Sequence, residues 1–98
     1  MDLKGSNTER NLLSAFSAES ETWSKYTLFA AKARQDGYEQ IARIFEETAD
    51  NEKEHAEIWY NLLTGGVGAT LDNLNSAASA ENYEWTDMYA GYAKQARD

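Results

Sequence analysis

The sequence lacks cysteine and proline and has few basic residues. Its 98 residues include no Cys, no Pro and 9 Lys plus Arg against 17 Asp plus Glu, a formal net charge of −8. Without Cys there are no disulfides, no thiolate metal ligands and no cysteine nucleophile, and we expect a reducing, cytoplasmic compartment. The acidic balance argues against nucleic acid and anionic membranes as partners, and it is compatible with binding cations.

Long hydrophobic runs are also missing. No apolar stretch approaches the ~20 residues that cross a bilayer, and the polar start "MDLKGSNTER" predicts no signal peptide. The glycine-rich stretch "TGGVG" follows a helical pattern and lacks the lysine of a phosphate-binding loop. We therefore expect neither a membrane span nor a nucleotide site.

What the sequence does contain is helical periodicity, which predicts one all-α domain over residues 1–98. The three predicted helices cover about 8–35, 38–63 and 72–97. "SNTE" (6–9) has the form of a capping box, "DG" (36–37) ends the first helix, and Gly65 suits a left-handed cap after the second. The short turn after the first helix predicts an antiparallel hairpin.

Each predicted helix carries carboxylates on its apolar stripe. Glu19 lies on the first stripe, Glu52 and His55 on the second, and Glu81 and Glu84 on the third. The other acids of "EETADNEKEH" (46–55) fall off the stripe, and we expect them to face water. Buried carboxylates are costly unless they are paired. Since no Lys or Arg lies on the stripes, a bound metal would resolve the conflict.

The types of ligand narrow the choice of metal only partly. Carboxylate oxygens with one imidazole suit iron, manganese or zinc, and the Glu-x-x-His of Glu52 and His55 puts both ligands one turn apart on one helix face. Di-iron carboxylate bundles use one Glu from each of two helices and Glu-x-x-His from each of two others. The alternative that stays open is a helical protein that binds no metal and whose polar groups form hydrogen bonds within the core.

Two tyrosines share a helix face with a candidate ligand. Tyr26 follows Glu19 by seven residues, and Tyr89 follows Glu81 by eight. Each either donates a hydrogen bond to a ligand or fills the core. Three other aromatic residues are interpreted as core packing: Trp23, Trp59 and Trp85.

The sequence also contains an internal repeat. Residues 11–36 and 73–98 are identical at 11 of 26 positions at a constant offset of 62, where chance gives roughly two or three. Glu19 aligns with Glu81, and Trp23 with Trp85. The third helix is therefore interpreted as a second copy of the first.

Three segments resemble the rubrerythrin family of the ferritin-like di-iron superfamily: "MDLKGSNTERNLLSAFSAES", "IFEETADNEKEHA" and "AENYEWTDMY". The resemblance covers the whole chain. It implies an antiparallel ferritin-like four-helix bundle that holds two iron ions. It also implies an oxidative-stress function, the reduction of hydrogen peroxide with electrons from an external donor such as a rubredoxin. Substitution of iron by manganese or zinc stays open.

The resemblance also assigns roles to residues. It implies that Glu19 is a terminal ligand of one iron and that Glu52 bridges the pair. His55 and Glu84 would serve the same iron as Glu19, exchanging with redox state, and Glu81 would serve the second iron. No catalytic residue is expected beyond these metal ligands.

Members of the family carry a further Glu and His on a fourth helix, and they have a rubredoxin domain. We expect no counterpart of either in this sequence. We expect a truncated domain whose four-helix bundle is completed by homodimerisation or helix swapping. Two copies of the first hairpin would supply Glu19, Glu52 and His55 twice. Two other possibilities stay open. The chain could be a fragment whose other half lies elsewhere, or a metal-free chain with an open apolar groove. The expected function is a di-iron peroxidase domain, and the alternatives are a non-catalytic ferritin-like iron-binding or storage module and a metal-free fragment.

Overall fold

The computed structural model describes residues 2–98, and over these residues the fold is all-α, as predicted. Helix α1 spans Asn7–Gln35 and α2 spans Glu39–Thr64. Helix α3 (Thr70–Tyr83) continues through a π-helical turn (Glu84–Met88) into α4 (Tyr89–Arg97). The third predicted helix is therefore one helical run that a π turn interrupts near its middle.

The chain divides into two compact units. The first ends at Gly66 and contains α1 and α2, and the second begins at Val67 and contains α3, the π turn and α4. In the first unit, α1 and α2 pack along their length as a helical hairpin. None of the helices within residues 2–98 has the length and hydropathy needed to cross a membrane.

Helix α1 begins with a modified capping box. Oγ of Ser6 accepts a hydrogen bond from the backbone N–H of Glu9 at 3.1 Å. Oε1 of Glu9 accepts from the N–H of Gly5 at 3.0 Å, rather than from that of Ser6. The N–H of Ser6 instead donates to the carbonyl of Leu3 at 3.1 Å. Both side chains of the predicted box thus satisfy backbone donors, with the carboxylate shifted by one residue.

The turn between the helices uses glycine and ion pairs. Gly37 has φ +89°, a left-handed conformation that favours glycine. Across this turn, Nε of Arg34 lies 3.0 Å from Oε2 of Glu39, and Arg34 also contacts Glu46. The guanidinium of Arg34 lowers the pKa of Glu39, and Glu39 and then Glu46 raise the pKa of Arg34. The end of α2 follows the prediction, since Gly65 adopts the left-handed cap at φ +81°.

Small side chains form the centre of the hairpin. Ala42, Ala49 and Ala56 of α2 are at most 4 % exposed and recur every seven residues. Such residues let two helices approach closely. The face of α2 that meets α1 is therefore centred on these alanines. The predicted apolar stripe of α2 included Ile41 and Leu62, and these side chains are 47 % and 55 % exposed. They lie beside the alanine row rather than on it, so the hairpin alone does not bury them.

Aromatic pairs fix the antiparallel register of the hairpin. The ring centroids of Phe16 and Tyr60 lie 5.7 Å apart towards one end, and those of Tyr26 and Phe45 lie 5.8 Å apart towards the other. Such pairs stabilise by about 0.5–1.5 kcal/mol beyond the area they bury. Glu19 lies between Phe16 and Tyr26 on α1, so this register sets it opposite the middle of α2.

Candidate metal centre

Three predicted ligands meet in the middle of the hairpin. Glu19 of α1 and Glu52 and His55 of α2 each offer one ligand atom, and these atoms lie within 4.8 Å of one another. The two carboxylates are half-buried and the imidazole is exposed. Helix geometry explains the α2 pair, because residues three apart are neighbours on one face. The aromatic register brings Glu19 to the same level.

Glu19 is held by two neighbours on α2. Its Oε1 lies 3.2 Å from Nδ1 of His55. Its Oε2 accepts a hydrogen bond from the indole N–H of Trp59. The Glu19 side chain is 26 % exposed and that of His55 is 51 % exposed. The carboxylate is thus partly withdrawn from water, whereas the imidazole lies at the rim.

The nearby cation does not neutralise these acids. Nζ of Lys53 lies 5.8 Å from the ring centroid of Trp23, within the range of a cation–π contact. Across residues 2–98, the ion pairs of Lys and Arg involve other carboxylates, at surface positions of α1 and α2. Glu46, Glu47, Asp50 and Glu54 are exposed, as the periodicity predicted. The carboxylates of Glu19 and Glu52 therefore remain available to a cation.

The donor set fits a transition metal. Two carboxylates and one imidazole at this separation can converge on a single ion, and oxygen with nitrogen ligands suits iron, manganese or zinc. On these observations, Glu19, Glu52 and His55 would hold the metal. Three protein ligands leave coordination positions for further ligands.

The other two predicted ligands lie in the second unit. Glu81 is exposed in the last turn of α3, and Glu84 is half-buried at the start of the π turn. The backbone N–H of Tyr89 donates to the carbonyl of Glu84, the five-residue spacing of a π turn. Such turns occur frequently at functional sites. The three-residue cluster contains neither Glu81 nor Glu84, and their assignment as ligands stays a prediction.

The two tyrosines predicted to lie beside the ligands have aromatic neighbours. The half-buried Tyr26 ring packs on Phe29 and Phe45, with both centroid distances at 5.8 Å. The ring of Tyr89 is 56 % exposed and stands 6.1 Å from that of Tyr92, nearly perpendicular to it. For Tyr26 these contacts favour the core-filling alternative.

Sequence reasoning missed the contact of Trp59 with Glu19. Trp59 was interpreted as core packing, and it is half-buried, but its indole N–H reaches a candidate ligand. A signal was present, because Trp59 follows His55 by one helical turn and so shares its face. A half-buried indole N–H usually finds an acceptor, and the carboxylate of Glu19 on the stripe of the facing helix is a strong one.

Comparison with known proteins points to the same family that the sequence motifs resemble. The family model "Rubrerythrin" matches residues 10–98. Rubrerythrin from Porphyromonas gingivalis is 46 % identical over 108 aligned positions, which cover 98 % of this chain and 54 % of the relative. Rubrerythrin from Nitratidesulfovibrio vulgaris is 41 % identical over 108 positions, with 98 % and 56 % covered. Nigerythrin from the same organism is 38 % identical over 105 positions, with 94 % and 52 % covered.

Two further facts follow from these alignments. The chain spans about half the length of the curated relatives that it matches. The aligned regions of 108 positions are longer than this chain of 98 residues, so the relatives contain residues there that have no counterpart here.

Proposed function

Because this chain belongs to the rubrerythrin family, we propose that it is a di-iron oxidoreductase domain that reduces hydrogen peroxide with electrons from an external donor such as a rubredoxin. The observation that supports this function most directly is the convergence of Glu19, Glu52 and His55 within 4.8 Å. Carboxylate-rich sites of this kind hold iron in ferritin-like bundles.

The residues of the cluster have distinct tasks in this proposal. Bound iron would supply the redox chemistry and the Lewis acidity. Glu19 and Glu52 bring negative charge that balances the cations, and His55 adds a neutral nitrogen donor. The 51 % exposure of His55 leaves one side of the cluster open to further ligands. Each peroxide that becomes two waters consumes two electrons and two protons, so the donor must return two electrons per turnover.

A second copy of the chain would complete the ligand set. The chain has one His, and a full site of this type uses two Glu-x-x-His pairs and two further Glu. Two hairpins related by a two-fold axis would provide Glu19, Glu52 and His55 twice. On the face of α2 that carries Glu52 and His55, Ile41 and Leu62 are 47 % and 55 % exposed, which favours association through this face. We therefore propose a homodimer with the iron pair between the hairpins.

The test is native mass spectrometry after anaerobic loading with ferrous iron, followed by addition of peroxide. We expect two irons per dimer and peroxide-dependent oxidation of the ferrous protein. Two irons per chain would indicate a helix-swapped assembly instead, and a large closed shell would indicate iron storage. A metal-free species, or ferrous protein that peroxide does not oxidise, would refute the peroxidase proposal.

A further inference from the structure

The two oxygens of Glu19 face different partners. Oε1 lies 3.2 Å from Nδ1 of His55, within the candidate centre. Oε2 accepts the hydrogen bond of the Trp59 indole N–H. A carboxylate turns readily about its last side-chain torsion, because that torsion has a broad energy minimum. The two contacts together select one orientation of the group.

The hydrogen bond from Trp59 is chemically suited to hold one carboxylate oxygen of Glu19 in place. An indole N–H donates and cannot accept, and it cannot ligate a metal. Its hydrogen bond to an ionised carboxylate is charge-assisted and stronger than a neutral one. Trp59 is half-buried on the same face of α2 as His55, one turn further on. The ring is thus partly withdrawn from water, and its only polar atom points at Glu19.

We propose that Trp59 is a positioning residue, whose indole N–H retains Oε2 of Glu19 so that Glu19 offers a metal only Oε1, as a monodentate ligand beside Glu52 and His55. This inference rests on the metal site proposed above. Hydrogen-bond partners of metal ligands orient them and tune their affinity, and losing such a partner typically costs 10–100-fold in metal binding.

Trp23 provides a matched comparison within the same hairpin. It follows Glu19 by four residues, as Trp59 follows His55 by four. Its ring contacts the ammonium of Lys53, with 5.8 Å from Nζ to the ring centroid. Substituting phenylalanine at either position keeps an aromatic ring and removes the indole N–H. Only the change at Trp59 removes a hydrogen bond to a candidate ligand.

The first test uses the metal-free protein and its indole N–H signals in ¹H–¹⁵N spectra. The chain has 3 Trp, so Trp59→Phe identifies the signal of Trp59 by its loss. We expect Glu19→Ala to move that signal upfield while the signals of Trp23 and Trp85 stay in place. A Trp59 signal that does not respond to Glu19→Ala would overturn the proposal.

The second test uses Zn²⁺, which is diamagnetic and leaves the spectrum visible. We expect Trp59→Phe to weaken Zn²⁺ binding about 10–100-fold and Trp23→Phe to leave it unchanged, with helicity checked by circular dichroism. In the zinc-loaded wild type, the Trp59 signal should keep its downfield position. Movement to the position seen in Glu19→Ala would show that Glu19 uses both oxygens, which overturns the inference while the metal site stands. A wild-type chain that binds no Zn²⁺ would overturn both, even if the first test shows the hydrogen bond.

Discussion

At the scale of single residues, position on α2 separates acids that the sequence places almost side by side. Glu52 is half-buried and converges with Glu19 and His55, whereas Glu54 is exposed. The stripe pattern predicted this difference, because residues two apart on a helix point in different directions. The same pattern placed Glu19 on the inner face of α1, as the structure does.

Glu52→Gln and Glu54→Gln are therefore a matched pair of charge changes. We expect Glu52→Gln to lower metal affinity by at least about tenfold, by analogy with the loss of groups that support ligands, and Glu54→Gln to leave it unchanged. Isothermal titration with Zn²⁺ or anaerobic Fe²⁺ measures both. Equal effects of the two substitutions would indicate nonspecific attraction by the acidic surface rather than a site.

The alanines at the centre of the hairpin give a second residue-scale prediction. Ala42 is 0 % exposed between the helices, so Ala42→Leu must displace the opposite helix. Overpacking of this kind costs typically 1–3 kcal/mol in the free energy of unfolding. Chemical denaturation monitored by circular dichroism measures it. The control is Ala31→Leu on the exposed face of α1, and a comparable loss there would argue against the tight hairpin.

The sequence predicts which face of a helix a residue occupies more readily than it predicts hydrogen bonds between two helices. The face of a residue follows from counting along one helix, but the partner of Trp59 depends on the register between two helices. That register is set by aromatic contacts such as Phe16 with Tyr60. Counting on α2 alone likewise could not reveal that the alanine row, rather than Ile41 and Leu62, faces α1.

At the scale of elements, the turn between α1 and α2 is fastened by charge. Arg34 lowers the pKa of Glu39 below its ordinary value of 4.5. Glu39 also lies in the first turn of α2, where negative charge is favourable. A carboxylate with a lowered folded-state pKa stabilises the fold above its unfolded-state pKa, and the contribution is lost as pH falls through the folded-state value.

We therefore expect Glu39→Gln to reduce thermal stability slightly at pH 7 and to have a shrinking effect once the pH drops below about 4.5. The effect is small because the pair is exposed. Melting curves of wild type and variant between pH 7 and pH 3 measure it. Glu47→Gln, exposed on the same helix, is the control, and a Glu39→Gln deficit that persists undiminished in acid would contradict the ion-pair explanation.

The π turn marks a departure between the two copies of the repeat. Up to Trp85 the copies align at an offset of 62, at which Glu84 corresponds to Thr22 of the regular helix α1. Beyond the turn, three residues still match at that offset (Ala93, Lys94 and Asp98), and four match at an offset of 63: Tyr89 with Tyr26, Ala93 with Ala30, Ala96 with Ala33 and Arg97 with Arg34. The repeat predicted a second α1-like helix, but periodicity counted at a constant offset could not reveal the extra residue.

At the scale of the whole molecule, the proposed site links metal binding to association. A metal that binds only the folded dimer stabilises it by mass action, about 2.7 kcal/mol at one hundred times the dissociation constant. We expect the melting temperature to rise with protein concentration and with added Zn²⁺, and to fall again with a chelator. Differential scanning calorimetry at several protein concentrations measures both effects. Metal stabilisation without any dependence on protein concentration would instead place the complete site within one chain.

The all-α class followed from composition and periodicity, because a chain rich in helix formers and free of proline has few alternatives. The proposed association of hairpins does not follow from composition and periodicity alone. It would depend on exposed side chains such as Ile41 and Leu62, whose partner no pattern within one chain specifies.

The π turn at Glu84–Met88 also has a consequence for how a duplicated sequence can evolve. After a duplication, the gain of a single codon suffices to turn an α-helical copy into one that carries a π turn, because the surplus residue is absorbed within one widened turn of the helix. Such a change brings Tyr89 into the position that corresponds to Tyr26 and leaves the residues before the turn unchanged. Two halves of one ancestral unit can thus acquire different geometries through one mutational event.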